Sequence, residues 1–281
     1  MFMFQNNKLK MLTGLEEESV QKLKIEVYDL ARQTLEHVIR GMLLNLHDRP
    51  GIEMRIIRNF FAKSTMLVRS IYSLWGINAF QECNILYRCL LDRYFYLHVL
   101  VRDKSFELFE EASFMEKFGT ARRARNDDKF SHQIALHPAL NPEHEIRYKE
   151  LKQKPQTWKR PDAKEVVKSM KRDFFYQYGF DYASKHVHPQ ANDGEQDFET
   201  LTELRSGTQF FSHAVVLHNS LFILCLIIMD TFRDKDIKII QPLSDFFDAF
   251  LDFLESGSLK FVTDYEKLMK VDLELWIPKS F

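Results

Sequence analysis

Turn-forming residues are scarce: the chain's 281 residues include only nine glycines and eight prolines. A fold of many short strands needs a turn every few residues and draws on those two types, so their scarcity disfavours a sandwich or barrel. Cysteine is scarcer still. Cys83, Cys89 and Cys225 make no disulfide framework, and no Cys-x-x-Cys pair offers zinc spacing. A reducing compartment, the cytoplasm, is therefore expected. Net charge is nearly absent, at −1. The apolar start Met1-Phe2-Met3-Phe4 is broken at once by Gln5, Asn6 and Asn7, so it does not read as a signal peptide. No uninterrupted membrane-length run exists. The longest apolar stretch, Ala214 to Met229, contains His218, Asn219 and Ser220 and falls short of the roughly 20 residues a span requires. It reads as a helix buried on nearly all sides, whose polar residues need internal partners, and no membrane association is expected.

What is present points to helices. Hydrophobic residues make up 45% of the chain and phenylalanine alone contributes 25, enough for a sizeable core. Val20, Leu23, Val27, Ala31, Leu35 and Val38 recur at three- and four-residue steps, predicting a helix over 16–45 with Thr13 as N-cap and Glu16 completing a capping box. Asp48-Arg49-Pro50-Gly51 is a turn, and helices are expected over 52–75, 79–101 and 106–118, the last ending at Gly119. A short helix near 143–152 is expected within an irregular stretch that holds Pro138, Pro142, Pro155 and Pro161. Further helices are expected over 163–188, 198–232 and 243–254, with Pro242 opening the last and Ser256-Gly257-Ser258 closing it. The expectation is an all-α, multi-helix bundle of about seven to nine helices in a single domain. Its core would be 14–118 and 162–256, with an irregular insertion at 119–161 and a C-terminal packing tail at 257–281.

Two polar pairs interrupt the apolar pattern. Arg88 and Asp92 stand four apart among Ile85, Leu86, Leu90, Leu91 and Tyr94; Ser184 and His188 stand four apart just before Pro189, with His186 between them and Asp181 and Tyr182 upstream. On a continuous helix each pair shares a face, so the two pairs can meet in one place. Such a meeting is either a structural polar clasp or an active site. In the second case Arg88, held by Asp92, is aimed at an anion such as phosphate. His188 is then a general acid or base near neutral pH, oriented by Ser184. Ser184 lacks the Gly-x-Ser-x-Gly surroundings of a nucleophile. A His-x-His metal site at His186 and His188 would need a third ligand, such as Asp181 or a distant acid. Between Arg122 and Arg172 there are fourteen Lys/Arg against seven Asp/Glu, a local +7. Such a segment is either a solvated face or an electrostatic footprint for a phosphate backbone.

Over roughly residues 20–230 the chain resembles a bacterial all-helical family of unknown function, whose signature is Arg-x-x-x-acid on one helix and Ser-x-x-x-His-Pro on a later one. Arg88, Asp92, Ser184, His188 and Pro189 occupy those positions; where the family usually carries a tyrosine, about four residues before the serine, stands Phe180, with Tyr178 and Tyr182 beside it. The family in turn resembles the helical HEPN group, which includes toxin and antiviral ribonucleases that dimerise around an RNA cleft and carry Arg-x(4–6)-His. Arg125-Asn126 and His132 have that spacing here, as do Arg32/His37, Arg40/His47 and Arg93/His98. The resemblance implies a homodimeric, RNA-targeting protein, a metal-independent endoribonuclease toxin or antiviral defence effector. Its catalytic set would be His188, Arg88, Ser184, Asp92 and His186, with the 122–172 segment on RNA and no cofactor. The alternatives are a non-catalytic helical scaffold with a structural clasp, and a metal-dependent hydrolase.

Overall fold

The structure, a computed structural model, describes residues 18–129, 141–155, 158–187, 198, 202 and 215–277. Among them every regular element is helical. Helices α1 (Glu18–Asn45), α2 (Ile52–Trp75), α3 (Phe80–Arg102), α4 (Phe106–Arg125) and α5 (Pro142–Gln153) are followed by α6 (Ala163–Ser169). A π-helical segment (Phe175–Asp181) then leads into the single turn α7 (Tyr182–Ser184). Helices α8 (Val215–Asp234), α9 (Gln241–Ser256) and α10 (Lys260–Leu268) and a 3₁₀ turn (Leu273–Leu275) complete the chain. The α-helices thus number ten among the described residues, more than the seven to nine expected. The excess has two sources: the stretch 163–188 is broken rather than continuous, and α10 forms inside the region expected to be only a packing tail. Thr13, Glu16 and the Met1–Asn7 stretch lie outside the described residues.

The core is built around α2, α3 and α8. On α1 the fully buried residues Ala31, Leu35, Val38, Ile39, Met42 and Leu46 follow the three- and four-residue period and close one side. Helix α8 buries most of its length, including Leu221, Ile223, Leu224, Cys225 and Ile228. Among the described residues it is the one helix long and apolar enough to cross a membrane by length and composition, and 78% of its apolar window is buried inside the protein. Its polar residues do find internal partners: Ser220 donates to the Leu217 carbonyl at 2.8 Å, and His218 Nδ1 lies 3.0 Å from the Tyr28 hydroxyl. On α9 and α10 a phenylalanine cluster packs together, Phe250 edge to face against Phe261 and Phe253 tilted against it. The tail is fastened to the body. Trp276 and Ile277 are buried, and Trp276 packs so closely on α1 that a Cβ on Gly41 would stand 2.6 Å from its ring.

A shared closing device explains how so few glycines suffice. At the ends of α2, α3, α6 and α8 the N–H that follows a left-handed residue returns to a carbonyl five residues earlier: Ala79 to Leu74, Ser105 to Leu100, Arg172 to Val167 and Ile237 to Phe232. Each of these Schellman-type ends needs one left-handed residue, usually glycine. Here the position is taken by Asn78, Lys104, Lys171 and Asp236, all with φ between 50° and 64°. Gly119, expected to end α4, lies buried inside it; the helix runs on to Arg125 and packs on α5, whose Tyr148 ring rests 4.8 Å from that of Phe118. The irregular insertion expected at 119–161 is shortened accordingly.

Candidate functional site

Helix α3 turns Leu90 and Leu91 into the core, which leaves Arg88 and Asp92 facing the 158–187 stretch. That stretch is positioned by three devices. Trp158 packs on Tyr96 of α3 and Phe109 of α4, with ring centroids 6.3 and 5.2 Å away. The Asp162 side chain caps α6 by accepting from the Glu165 N–H at 3.0 Å. The left-handed Lys171 then stops α6 and turns the chain into the π-helical segment. Gly179 in that segment lets its backbone approach α3: a Cβ there would lie 3.3 Å from Leu91 Cδ1. The approach delivers Phe180 and Ser184 to Arg88.

Arg88 is held on three sides. Its Nε donates to Ser184 Oγ at 2.9 Å, and its Cζ lies 3.2 Å from the centroid of the Phe180 ring. Its Nη1 stands 2.5 Å from Asp92 Oδ2. That nitrogen is buried without an aligned hydrogen bond, so the short contact is Coulombic attraction with the N–H pointing off the line. Phe180 is itself stacked on Tyr176 at 15° and tilted against Phe95. A flat guanidinium over a fixed ring face is a favourable cation–π arrangement. Asp92 Oδ2 also meets Arg160 Nη2 at 3.5 Å. One carboxylate thus serves two guanidinium groups, leaving the cluster positive.

Ser184 is bonded on two sides. Its hydroxyl donates to the Phe180 carbonyl at 2.7 Å and accepts from Arg88, so it orients the arginine and its only proton is committed to its own helix. The continuous helix expected over 163–188 is interrupted here. α7 ends at Ser184, and Lys185–Val187 is a turn closed by bonds three residues long. His188 and Pro189 lie outside the described residues. His186 packs edge-on against the exposed Tyr182 ring at 5.3 Å. Asp181 is exposed. No group of three metal-capable side chains occurs among the described residues. Arg125 closes α4 rather than lying in a loop, and its Nη2 donates to Glu145 of α5 at 2.7 Å, which holds that carboxyl below its ordinary range. His132 lies outside the described residues.

A second polar cluster was not anticipated from the sequence. Asp230 of α8, only 7% exposed, accepts from the Tyr94 hydroxyl at 2.5 Å and from Arg172 Nη1 at 2.7 Å. Its other oxygen lies 2.9 Å from Arg233. Burial, then the Asp230 charge, pushes the Tyr94 phenol far above its usual value. Arg172 immediately follows Lys171, so this cluster anchors the start of the segment that carries Phe180 and Ser184 to Arg88. The signal in the sequence was Asp230 within an otherwise apolar helix.

Residues 54–203, just over half the chain, match a family of unknown function (DUF5677). That span contains all five signature positions and stops short of Asp230 and His218. No curated protein and no solved structure matches the chain.

Proposed function

We propose, from the premise that this chain belongs to the DUF5677 family of unknown function, that it is a HEPN-like RNA-targeting protein of the cytoplasm: a metal-independent endoribonuclease, serving as a toxin or antiviral defence effector and working as a homodimer. The observation that carries this reading is the immobilised Arg88 guanidinium, fixed by Ser184, Asp92 and Phe180, with Ser184 four residues before the signature histidine, His188. A preorganised cation costs nothing to reorient when charge develops on a phosphate in the transition state. The basic 122–172 segment reaches the same place through Arg160, which suits a phosphate backbone. In this mechanism His188 removes the proton of an RNA 2′-hydroxyl, whose oxygen attacks the adjacent phosphorus while the P–O5′ bond breaks. A proton returns to the leaving 5′-oxygen and a 2′,3′-cyclic phosphate remains. Arg88 faces the equatorial oxygens, and Ser184 and Asp92 orient Arg88.

The test is cleavage of a mixed RNA pool by wild type, His188→Ala, His186→Ala and Arg88→Lys, each first checked for native helicity by circular dichroism. Wild type should cleave with and without chelator, and with a dependence on pH near the ordinary imidazole pKa of about 6.5. His188→Ala and Arg88→Lys should be inactive, since an ammonium lacks the planar fork. Undiminished cleavage by folded His188→Ala overturns the assignment. A second reading, a non-catalytic scaffold, is favoured by one observation: the Arg88 side chain is only 12% exposed, as a structural clasp would be. Absence of cleavage by wild type would support it.

A further inference from the structure

Among the described residues, Arg160 is the one residue of the basic segment joined to the Arg88 cluster. Its side chain is 68% exposed, and its contact to Asp92 Oδ2, at 3.5 Å, is long. Arg88 already holds the same oxygen at 2.5 Å. An exposed, long ion pair to an oxygen already neutralised by a nearer cation contributes little, so the Arg160 guanidinium can leave Asp92 at small cost. Its backbone, in contrast, is fixed on both sides. Trp158 is packed between Tyr96 and Phe109, Pro161 follows directly with its φ locked, and Asp162 caps α6. The cluster therefore combines an immobile guanidinium and a swinging one, flanking a single carboxylate. Two guanidinium groups on one site match the oxygens of a phosphate group, each in a planar fork.

We propose that Arg160 is a second phosphate-binding residue of this site, latched on Asp92 when the site is empty and transferred to a phosphate group when one binds. The inference rests on the reading of Arg88 as an anion-binding residue. The ligand chemistry is a phosphate mono- or diester, and an RNA backbone and a free phosphate are its two sources.

The experiment compares full-length wild type, Arg160→Ala, Arg160→Lys and, as a control outside the basic segment, Lys63→Ala, which is exposed on α2. Binding of a fluorescein-labelled 20-nucleotide oligouridylate is followed by anisotropy across a salt series, and competition by inorganic pyrophosphate is measured in parallel. Arg160→Ala should reduce the slope of log K against log salt by about 0.7, one single-strand phosphate contact. Its melting temperature should stay unchanged, Arg160→Lys should restore the slope, and Lys63→Ala should leave it intact. Equal slopes for wild type and Arg160→Ala, an equal loss with Lys63→Ala, or no binding of either probe by wild type would each overturn the inference. RNA cleavage separates the two ideas. Arg160-dependent pyrophosphate competition without cleavage by wild type keeps the phosphate site and removes the ribonuclease. Cleavage with the same kcat/KM in Arg160→Ala keeps the ribonuclease and removes the clamp.

Discussion

His218 is the group through which mild acid should weaken this protein. It lies on α8, 7% exposed, with its Nδ1 3.0 Å from the hydroxyl of Tyr28 on α1 and its ring edge-on to the Tyr28 ring. Burial pushes its pKa down to about 4 and pushes the Tyr28 phenol up to about 12, so at neutral pH both are uncharged. In the unfolded chain an imidazole titrates near 6.5. Between those two values the unfolded state binds a proton that the folded state refuses. The contribution of His218 is therefore complete above about pH 6.5, declines as pH falls, and is exhausted near pH 4, where the folded ring protonates too. The gap corresponds to roughly 3 kcal/mol, a large share of an ordinary domain's roughly 5–15 kcal/mol. Urea unfolding followed by circular dichroism at steps from pH 7.5 to 4.5, for wild type and His218→Asn, isolates the effect. Asparagine keeps a polar atom near the Nδ1 position and cannot titrate. The wild-type advantage should shrink by roughly 2–3 kcal/mol over that range. A residual decline should remain in both proteins, since burial also holds His98 below its ordinary value. Tyr28→Phe should cost about 1–2 kcal/mol at pH 7 by leaving Nδ1 unpartnered, yet keep the pH dependence, because burial is its cause. Parallel curves for wild type and His218→Asn would refute the reasoning.

Three further outcomes follow from the packing. Asp230→Ala should destabilise the fold by roughly 3–5 kcal/mol, because Arg172 and Tyr94 lose a buried shared acceptor; urea denaturation measures it, and a loss under 1 kcal/mol would show the network to be dispensable. Gly41→Ala should cost about 1–3 kcal/mol and loosen the tail, since the new Cβ would stand 2.6 Å from the Trp276 ring and 2.8 Å from Leu273; Trp276 fluorescence should shift toward the solvent-exposed range. Lys171→Gly should raise the melting temperature by about 2 °C, as relief of a left-handed lysine outweighs the added chain entropy; an unchanged or lower value would show that φ to be unstrained.

Helix boundaries were legible wherever a residue with restricted or extended freedom marks them. Ile52–Trp75 follows Pro50-Gly51 and precedes Gly76, and α9 opens at Pro242 and ends on left-handed Gly257. Boundaries carried by ordinary residues were not. Nothing in Ser169-Met170-Lys171-Arg172 announces a left-handed lysine, so 163–188 read as one helix although it breaks there. Gly119 misled in the opposite sense. Its backbone freedom suggested a stop, but packing of α4 on α5 through Phe118 and Tyr148 carried the helix past it. In both cases tertiary contact outweighed local preference. The apolar tail was legible as packed, because Trp276 and Ile277 cannot remain exposed cheaply, while the α10 helix within 257–281 was not anticipated.

At the candidate site, the Arg88–Asp92 pair was legible because two charges on an apolar helix demand partners, and Ser184 is one of them. The other contacts came from backbone departures that spacing cannot encode. An α-helix carried through 163–188 would place residues four apart on one face. The structure instead runs through a π-helical segment and then the tight turn 185–187, whose Val187 N–H returns to the Ser184 carbonyl. Along a three-residue period Val187 falls in line with Ser184. Phe180 reaches the Arg88 face for the same reason: the wider π turn and Gly179 bring its ring over the guanidinium. The position where the family usually carries a phenol is thus filled here by an unsubstituted ring whose face, not an edge hydroxyl, meets the arginine. Phe180→Tyr adds an oxygen at the ring rim and leaves that face available, so the variant separates what the ring does by stacking from what a phenol would add.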